Sequence, residues 1–398
     1  MAGYQMDETR FLSSIAKRKY PHDETVRMLS APRKEGVISL NLGEPDFAPP
    51  QFLFDGLDAA GKKGYGPPIG MPGLREGIAR KLKSSNGIDA SMENIAVTCG
   101  ATEALFLSAM ASLNPKDEVI LPEPCFSVMK GMFEVFGASV IDLPLKQDEQ
   151  FEVNPDELAK QVGEKTKCIY LNSPSNPTGA ILSRKILEEI ADIAVDRDLF
   201  VISDEAYESL VYEGEHVSIA SLNGMFDRTI LVYTLSKTWA MPGFRLGYMC
   251  APDFIIQAAA KLHLYTTVCA PLFSQALGLR VLEKADSMRL FLSEAKKEYE
   301  KRRDFITYRL NEAGLWTHKP KGAFYAFSDI RQFSKTSSDF SKALLEEANV
   351  LAMPGSDFGP SGEGFMRFSY AASMKNIEDA MDRIDAFARK NKSFSKNA

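Results

Sequence analysis

Four short apolar runs in the middle of the chain are each followed at once by residues that could bind or react with a ligand. The segments that follow them are 100–102, 172–179, 204–207 and 234–237. They bring together glycine, amides, a carboxylate, a phenol and a lysine. In an open parallel sheet, ligands bind beyond the carboxyl ends of the strands. We therefore expect these segments to line one site.

Lys237 and Asp204 carry the strongest chemical signal. A lysine at the end of an interior strand is rare unless it is paired or reactive. Burial near other cations lowers the pKa of a lysine, which makes its amine a nucleophile that can form a Schiff base. Asp204 follows an apolar run, and a buried carboxylate needs a cationic partner such as a protonated pyridine nitrogen. A helix N-cap or a structural ion pair is the alternative for Asp204.

A phosphate site is indicated next to them. Residues 100–102 begin a helix, where free N–H groups and the helix dipole favour an anion. The alternative is that the same residues only cap the helix and bind no ligand. Arg245 lies close behind Lys237 in the sequence and could hold a phosphate with paired bonds, or form a surface salt bridge. Thr234 and Ser236 add hydroxyl groups.

Two further polar residues could donate hydrogen bonds to an oxygen of a bound ring. They are Tyr207 and Asn176. The segment 176–179, Asn-Pro-Thr-Gly, could equally be a turn.

The surrounding pattern predicts an α/β protein with a mostly parallel sheet sandwiched by helices, because short apolar runs alternate with amphipathic helical stretches. From about residue 286 the sequence pattern changes and predicts a long charged helix followed by a smaller α+β domain. We predict three parts: an N-terminal segment, 1–40, that packs with the small domain or a partner subunit, a large domain, 41–285, and a small C-terminal domain, 286–398.

Composition excludes several functional classes. The 398 residues carry 47 Lys and Arg against 53 Asp and Glu, a net charge of −6, so a nucleic-acid partner is not expected. No apolar stretch is long enough to span a membrane, and the N-terminus lacks a signal-peptide core. The five cysteines form no CxxC pair and the four histidines have no metal-ligand spacing. We expect a cytoplasmic protein with reduced thiols and no metal.

The ordered motifs resemble those of the class I/II aminotransferases, which are pyridoxal-phosphate (PLP) enzymes of fold type I. The motifs are Asn-Ser-Pro-Ser-Asn-Pro-Thr-Gly at 172–179, Asp-x-x-Tyr at 204–207, and Ser-Lys at 236–237 followed by Pro-Gly-Phe-Arg at 242–245. The resemblance runs from residue 41 to residue 369 and is closest to the aspartate/aromatic/alanine branch. It implies transfer of an amino group from an L-amino acid to a 2-oxo acid such as 2-oxoglutarate, in two half-reactions through a Schiff base.

The resemblance also implies residue roles. Lys237 would hold the cofactor covalently, and Asp204 would keep the ring nitrogen of the cofactor protonated. Tyr207 and Asn176 would both form hydrogen bonds with the ring hydroxyl. The substrate would contact Gly43, Asn176 and Arg367, with Arg367 gripping the α-carboxylate. Further cofactor contacts would come from Gly100, Ala101, Thr102, Phe126, Thr234, Ser236 and Arg245. Tyr65 would reach the phosphate of the neighbouring subunit, which implies a homodimer with shared sites.

Two departures from the family pattern bear on specificity. Thr234 stands where the family has Ser or Gly, which keeps a hydroxyl for the phosphate. Thr102 stands where some dicarboxylate-selective relatives have lysine, which weakens the case for strict aspartate selectivity.

Three other functions are set against amino transfer. A PLP-dependent lyase, either a Cβ–S lyase or an aminocyclopropane-carboxylate-synthase-like enzyme, shares the fold and most cofactor residues and remains the alternative. A regulatory protein on the same fold would need a DNA-binding module for which the chain has no room. A nicotinamide enzyme is disfavoured because no GxGxxG follows an early strand.

Overall fold

A computed structural model describes residues 13, 15–18, 35–57 and 64–391, and the fold is given for these. The strands are β1 Ile38–Ser39, β2 Ile95–Thr98, β3 Glu118–Glu123, β4 Ser139–Pro144, β5 Thr166–Asn172, β6 Phe200–Asp204, β7 Thr229–Thr234, β8 Gly247–Cys250, β9 Tyr325–Asp329, β10 Val350–Leu351, β11 Met353–Pro354 and β12 Phe365–Ser369. The α-helices are α1 Pro72–Lys81, α2 Ala101–Ser112, α3 Met129–Val135, α4 Pro155–Gln161, α5 Arg184–Asp196, α6 Leu235–Thr238, α7 Asp253–His263, α8 Leu272–Glu283, α9 Ala285–Ala313, α10 Ser337–Ala348 and α11 Met374–Asn391.

A seven-stranded sheet in the order β2-β8-β7-β6-β5-β3-β4 forms the centre. The strands β4, β3, β5, β6 and β7 pair in parallel, which confirms the predicted α/β class. β8 was not predicted, and it runs antiparallel between β2 and β7. Its four residues are all buried, so the alternation that marks a half-exposed strand is missing.

Helices cover both faces of this sheet. On one face, α5 buries Leu187, Ile190 and Ala194, as its predicted amphipathic pattern requires. On the other face, α2 contributes Ala104, Leu105 and its neighbours to a second core. The packed helices hold the strand ends in place. Those ends carry the residues that could bind or react with a ligand.

A smaller layer of structure begins with the long helix α9. β11, β12 and β9 form an antiparallel three-stranded sheet, and α9 packs against α11. Residues 350–354 form two short strands, β10 and β11, which are separated by Ala352.

The predicted N-terminal segment, residues 1–40, lies largely outside the described residues. Its end is described: Ile38 and Ser39 pair in parallel with Val350 and Leu351. All five cysteines are free thiols. Among the helices of the described ranges, none combines the length and apolarity that crossing a membrane requires.

Candidate active site

A cavity of about 260 Å³ opens where β5, β6 and β7 end. Its wall contains most residues that the sequence singled out, and it also takes in β12 from the smaller sheet and the segment around residue 42. The predicted residues that line it are Gly43, Ala101, Thr102, Phe126, Asn176, Asp204, Tyr207, Thr234, Ser236, Lys237, Arg245 and Arg367.

Asp204 is the last residue of β6 and is only 5% exposed. Its carboxylate accepts hydrogen bonds from Ala206 N at 3.1 Å and from Tyr170 Oη at 3.1 Å. Burial raises the pKa of Asp204 to about 6, and these two hydrogen bonds offset part of the rise. Both hydrogen-bond donors are neutral, so the geometry leaves this carboxylate suited to a cationic ligand group.

Lys237 lies in the short helix α6, which follows β7 directly. Burial, and then the positive charge of Arg367, lower the pKa of Lys237 to about 8. Its Nζ donates to the carbonyl oxygen of Gly43 and lies 5.8 Å from the ring centroid of Phe324. A lysine with this pKa is partly deprotonated near neutral pH, as a nucleophilic amine must be.

The start of α2 forms an anion cradle. Gly100 has φ of 80° at the N-cap, and no side chain caps this helix. Arg245 packs on Gly100 so closely that a Cβ there would lie 2.6 Å from Arg245 Nη2. Arg245 donates to the carbonyl oxygens of Pro242 at 3.0 Å and Cys99 at 3.4 Å, and it is exposed. These contacts favour the phosphate interpretation over a side-chain-capped helix or a salt bridge.

The hydroxyl groups predicted for this cradle are present. Thr234 Oγ1 accepts from the backbone N–H of Ser236 at 3.1 Å and donates to Ser236 Oγ at 2.9 Å. The threonine that departs from the family pattern thus keeps its hydroxyl at the cavity wall.

Arg367 closes the opposite side of the cavity from β12 and is 6% exposed. Its Nη1 donates to Asn176 Oδ1 at 2.8 Å and its Nη2 to the carbonyl oxygen of Asn41. Within the described residues, its buried Nε has no hydrogen-bond partner. The guanidinium lies 4.4 Å from the ring centroid of Tyr325 and 4.7 Å from that of Phe358. It is therefore held rigidly with donor capacity left for a carboxylate.

Two predicted residues are not among the cavity-lining residues. Gly100 lies beside the cavity, against Arg245, and Tyr65 is 86% exposed. A tyrosine this exposed contributes nothing to the site of its own chain.

Several lining residues were missed by sequence reasoning. They are Asn41, Leu42, Leu105, Ser127, Asn172, Ala206, Pro242, Tyr325 and Met353. Asn172 was within reach, because it is the last residue of β5 and the first residue of the quoted motif, but no role was assigned to it. Tyr325 lies in an apolar run and looks like a core residue in the sequence.

Comparison with known proteins agrees with this arrangement. The sequence model of the family described as "Aminotransferase class I and II" matches residues 35–384. Aspartate aminotransferase of Pyrococcus abyssi is 45% identical over 361 residues, covering 89% of this chain and 92% of that protein. Aromatic-amino-acid aminotransferase 2 of Thermococcus litoralis is 41% identical, covering 90% and 93%.

Solved structures show the same relationship. The aromatic aminotransferase of Pyrococcus horikoshii superposes with a TM-score of 0.88 at 43% identity, over 92% of this chain and 99% of that one. Thermus thermophilus aspartate aminotransferase with maleate gives 0.89 at 34% identity, over 95% and 99%. The chain belongs to the class I and II aminotransferases, enzymes that use pyridoxal phosphate.

The residues present fit this cofactor. Asp204 is a buried carboxylate without a cationic hydrogen-bond partner among the described residues, the N-terminus of α2 is free of a side-chain cap, and Lys237 offers an amine of lowered pKa. The pyridinium nitrogen of the cofactor would pair with Asp204, its phosphate would bind at the N-terminus of α2, and its aldehyde would react with Lys237.

The raised pKa of Asp204 predicts a stability effect in the cofactor-free protein. Ionising this carboxyl begins to cost stability as pH rises above 3.8, and the cost is complete above about 6, at about 3 kcal/mol. Cofactor-free Asp204→Asn should therefore be more stable than wild type at pH 7.5, with the gap narrowing toward pH 4. Urea unfolding across this pH range measures it.

Saturation with pyridoxal phosphate should reverse that order, because only the carboxylate pairs with a pyridinium. The surface variant Asp148→Asn is the control. A difference in free energy of unfolding that does not change with pH would contradict the account. So would a cofactor-free variant that is less stable than wild type at pH 7.5.

Proposed function

We propose that this aminotransferase moves the amino group of an aspartate, alanine or aromatic L-amino acid to a 2-oxo acid, with 2-oxoglutarate as the acceptor. The observation that carries the proposal is the shared cavity of the Lys237 amine, the buried Asp204 carboxylate and the Arg367 guanidinium. These groups suit, respectively, covalent attachment of the cofactor, its ring nitrogen and the substrate carboxylate.

The residues of the cavity then divide the chemistry among them. When bound, the cofactor supplies an electron-poor ring that withdraws electrons from the substrate Cα. Asp204 holds the proton on the ring nitrogen, and Tyr207 and Asn176 donate to the ring oxygen. Lys237 Nζ anchors the cofactor and then takes and returns the Cα proton, a task that its lowered pKa suits. Arg367 orients the substrate by its α-carboxylate.

The remaining predicted contacts hold the cofactor in place or complete the substrate end. Phe126 would stack on the ring, and the backbone at Gly43 would border the substrate. The phosphate would be bound by the backbone at Gly100, Ala101 and Thr102 together with Thr234, Ser236 and Arg245.

The cavity lining favours an uncharged side chain among the three donor types. Apart from Phe126, which is assigned to the cofactor ring, its apolar part is formed by Leu42, Leu105, Met353 and Phe358. The aromatic side chain of an amino donor could be buried against these residues with little free-energy cost of desolvation. One of the two curated relatives described above carries an aromatic-amino-acid name, which supports the same preference.

A homodimer with shared sites is part of the proposal. Tyr65, Leu264 and Tyr265 are 86%, 53% and 79% exposed, a concentration of apolar surface that is typical of an interface. The two segments touch through a hydrogen bond from Gly66 N to Cys269 Sγ at 3.4 Å. Thr266 Oγ1 in turn donates to Glu103 in the first turn of α2, at 2.8 Å. The surface therefore lies next to the phosphate cradle.

Sedimentation of the purified protein should give twice the mass of one chain. The Tyr65→Ala variant should bind pyridoxal phosphate more weakly, because the hydroxyl and ring that reach the neighbouring cradle are lost. The exposed Tyr308 provides the matched control as Tyr308→Ala. A monomeric wild type, or equal cofactor affinity in both variants, would contradict the shared site.

We also propose a cytoplasmic location and a division into a large domain, 41–285, and a small domain, 286–398. Five free thiols suit a reducing compartment. The division is supported by the separate three-stranded sheet that follows α9.

An amino-donor panel tests the reaction. With 2-oxoglutarate, aromatic donors should yield glutamate and the matching oxo acid. Without the acceptor, the reaction should stop after one oxo acid has formed per active site. Arg367→Ala should lower kcat/KM at least about a hundredfold while the cofactor stays bound, since charge-assisted bonds to the carboxylate are lost. Pyruvate and ammonia released from cysteine-type substrates without an acceptor would instead identify a lyase.

A further inference from the structure

Two buried phenols meet at the wall of the cavity, and only one of them was predicted as a site residue. Tyr207 follows β6, and Tyr325 is the first residue of β9. Their Oη atoms are 2.7 Å apart, and the two residues are 4% and 1% exposed. The rings meet edge to face with centroids 5.8 Å apart. The hydrogen bond therefore joins the large sheet to the small one through rigid side chains.

Tyr325 is fixed from three sides. The guanidinium of Arg367 lies 4.4 Å from its ring centroid. A Cβ on Gly43 would lie 1.8 Å from Tyr325 Oη, so the backbone at Gly43 and the hydroxyl are in close contact. In the described part of the chain, Tyr207 is the hydrogen-bond partner found for Tyr325 Oη. The Tyr325 proton has no second acceptor there.

Charged groups from two elements surround the pair. Arg367 from β12 and Asp204 from β6 face both phenols. Burial raises the pKa of Tyr325, and the positive charge of Arg367 opposes that rise. Burial, followed by the neighbouring Tyr325, holds the pKa of Tyr207 well above its ordinary value. Each phenol carries a single proton, so if Tyr207 donates its own to the cofactor, Tyr325 is the donor in the bond between the two hydroxyl groups.

We propose that Tyr325 is a positioning residue: its hydroxyl donates to Tyr207 Oη and so directs the single Tyr207 proton toward the ring oxygen of the cofactor. The inference rests on the proposed role of Tyr207. In a chain of this kind each hydrogen bond strengthens the next. Tyr325 also packs under Arg367, so the same side chain supports the substrate end and the cofactor end of the cavity.

The Tyr325→Phe variant tests this, because it removes the hydroxyl and keeps the ring under Arg367. The readout is the pH midpoint of the visible absorbance change of the Lys237–cofactor linkage. A ring oxygen that receives a weaker hydrogen bond retains the linkage proton to higher pH. The midpoint should rise by roughly a few tenths of a pH unit. No shift, or a fall, overturns the proposal, and a fall would mean that Tyr207 donates to Tyr325.

A double-mutant cycle separates the relay from a structural effect. Once Tyr207→Phe has removed the receiving hydroxyl, adding Tyr325→Phe should not move the midpoint further, and an additive shift would contradict the relay. Tyr212→Phe is the matched control, since it removes a phenol that donates to Ala323, two residues before Tyr325. It should lower stability without moving the midpoint.

Two safeguards keep the result decisive. If Tyr325→Phe does not fold, Tyr325→Leu removes the same hydroxyl and carries the same expectation. If wild type takes up no pyridoxal phosphate, the proposed function fails, whereas a normal wild-type band with an unshifted variant defeats only the relay.

Discussion

An amine and a carboxylate share one cavity, and burial shifts the pKa of each group toward neutral pH by penalising its charged form. Burial lowers the pKa of Lys237 to about 8 and raises that of Asp204 to about 6. Neither group gains stability for the folded chain by being there without a ligand. A ligand that offers a cation to one and an electrophile to the other relieves both costs, so the rest of the architecture can be understood as support for this pair.

The fold supplies that support through strand ends. β6 ends at Asp204 and β7 leads directly into α6 with Lys237, so neighbouring parallel strands deliver the two groups to the same edge of the sheet. The antiparallel sheet beyond α9 brings Arg367 and Tyr325 to the opposite wall. The hydrogen bonds from Arg367 to Asn176 and Asn41 then connect the two walls around the substrate position.

The sequence predicted the parts of this site that have a conspicuous side-chain signature. A charged residue at the end of an apolar run stands out, which is why Asp204 and Lys237 were found from residue type alone. Arg367 was assigned only through the family resemblance. The carbonyl of Asn41 is a backbone group with no signature in the sequence, and Tyr325 reads as core because its polar atom is a single hydroxyl. β8 was missed because its sequence, Gly-Tyr-Met-Cys, contains no β-branched residue, whereas the equally short and buried β2 contains Ile95, Val97 and Thr98.

Borohydride reduction followed by peptide mapping tests the central claim most directly. Wild type loaded with pyridoxal phosphate and reduced should carry one cofactor-derived label, on the peptide that contains Lys237. Lys237→Ala should carry none, while the exposed-site variant Lys185→Ala should be labelled like wild type. A label on another lysine, or a wild type that takes up no label, would contradict the placement of the cofactor between Lys237 and Asp204.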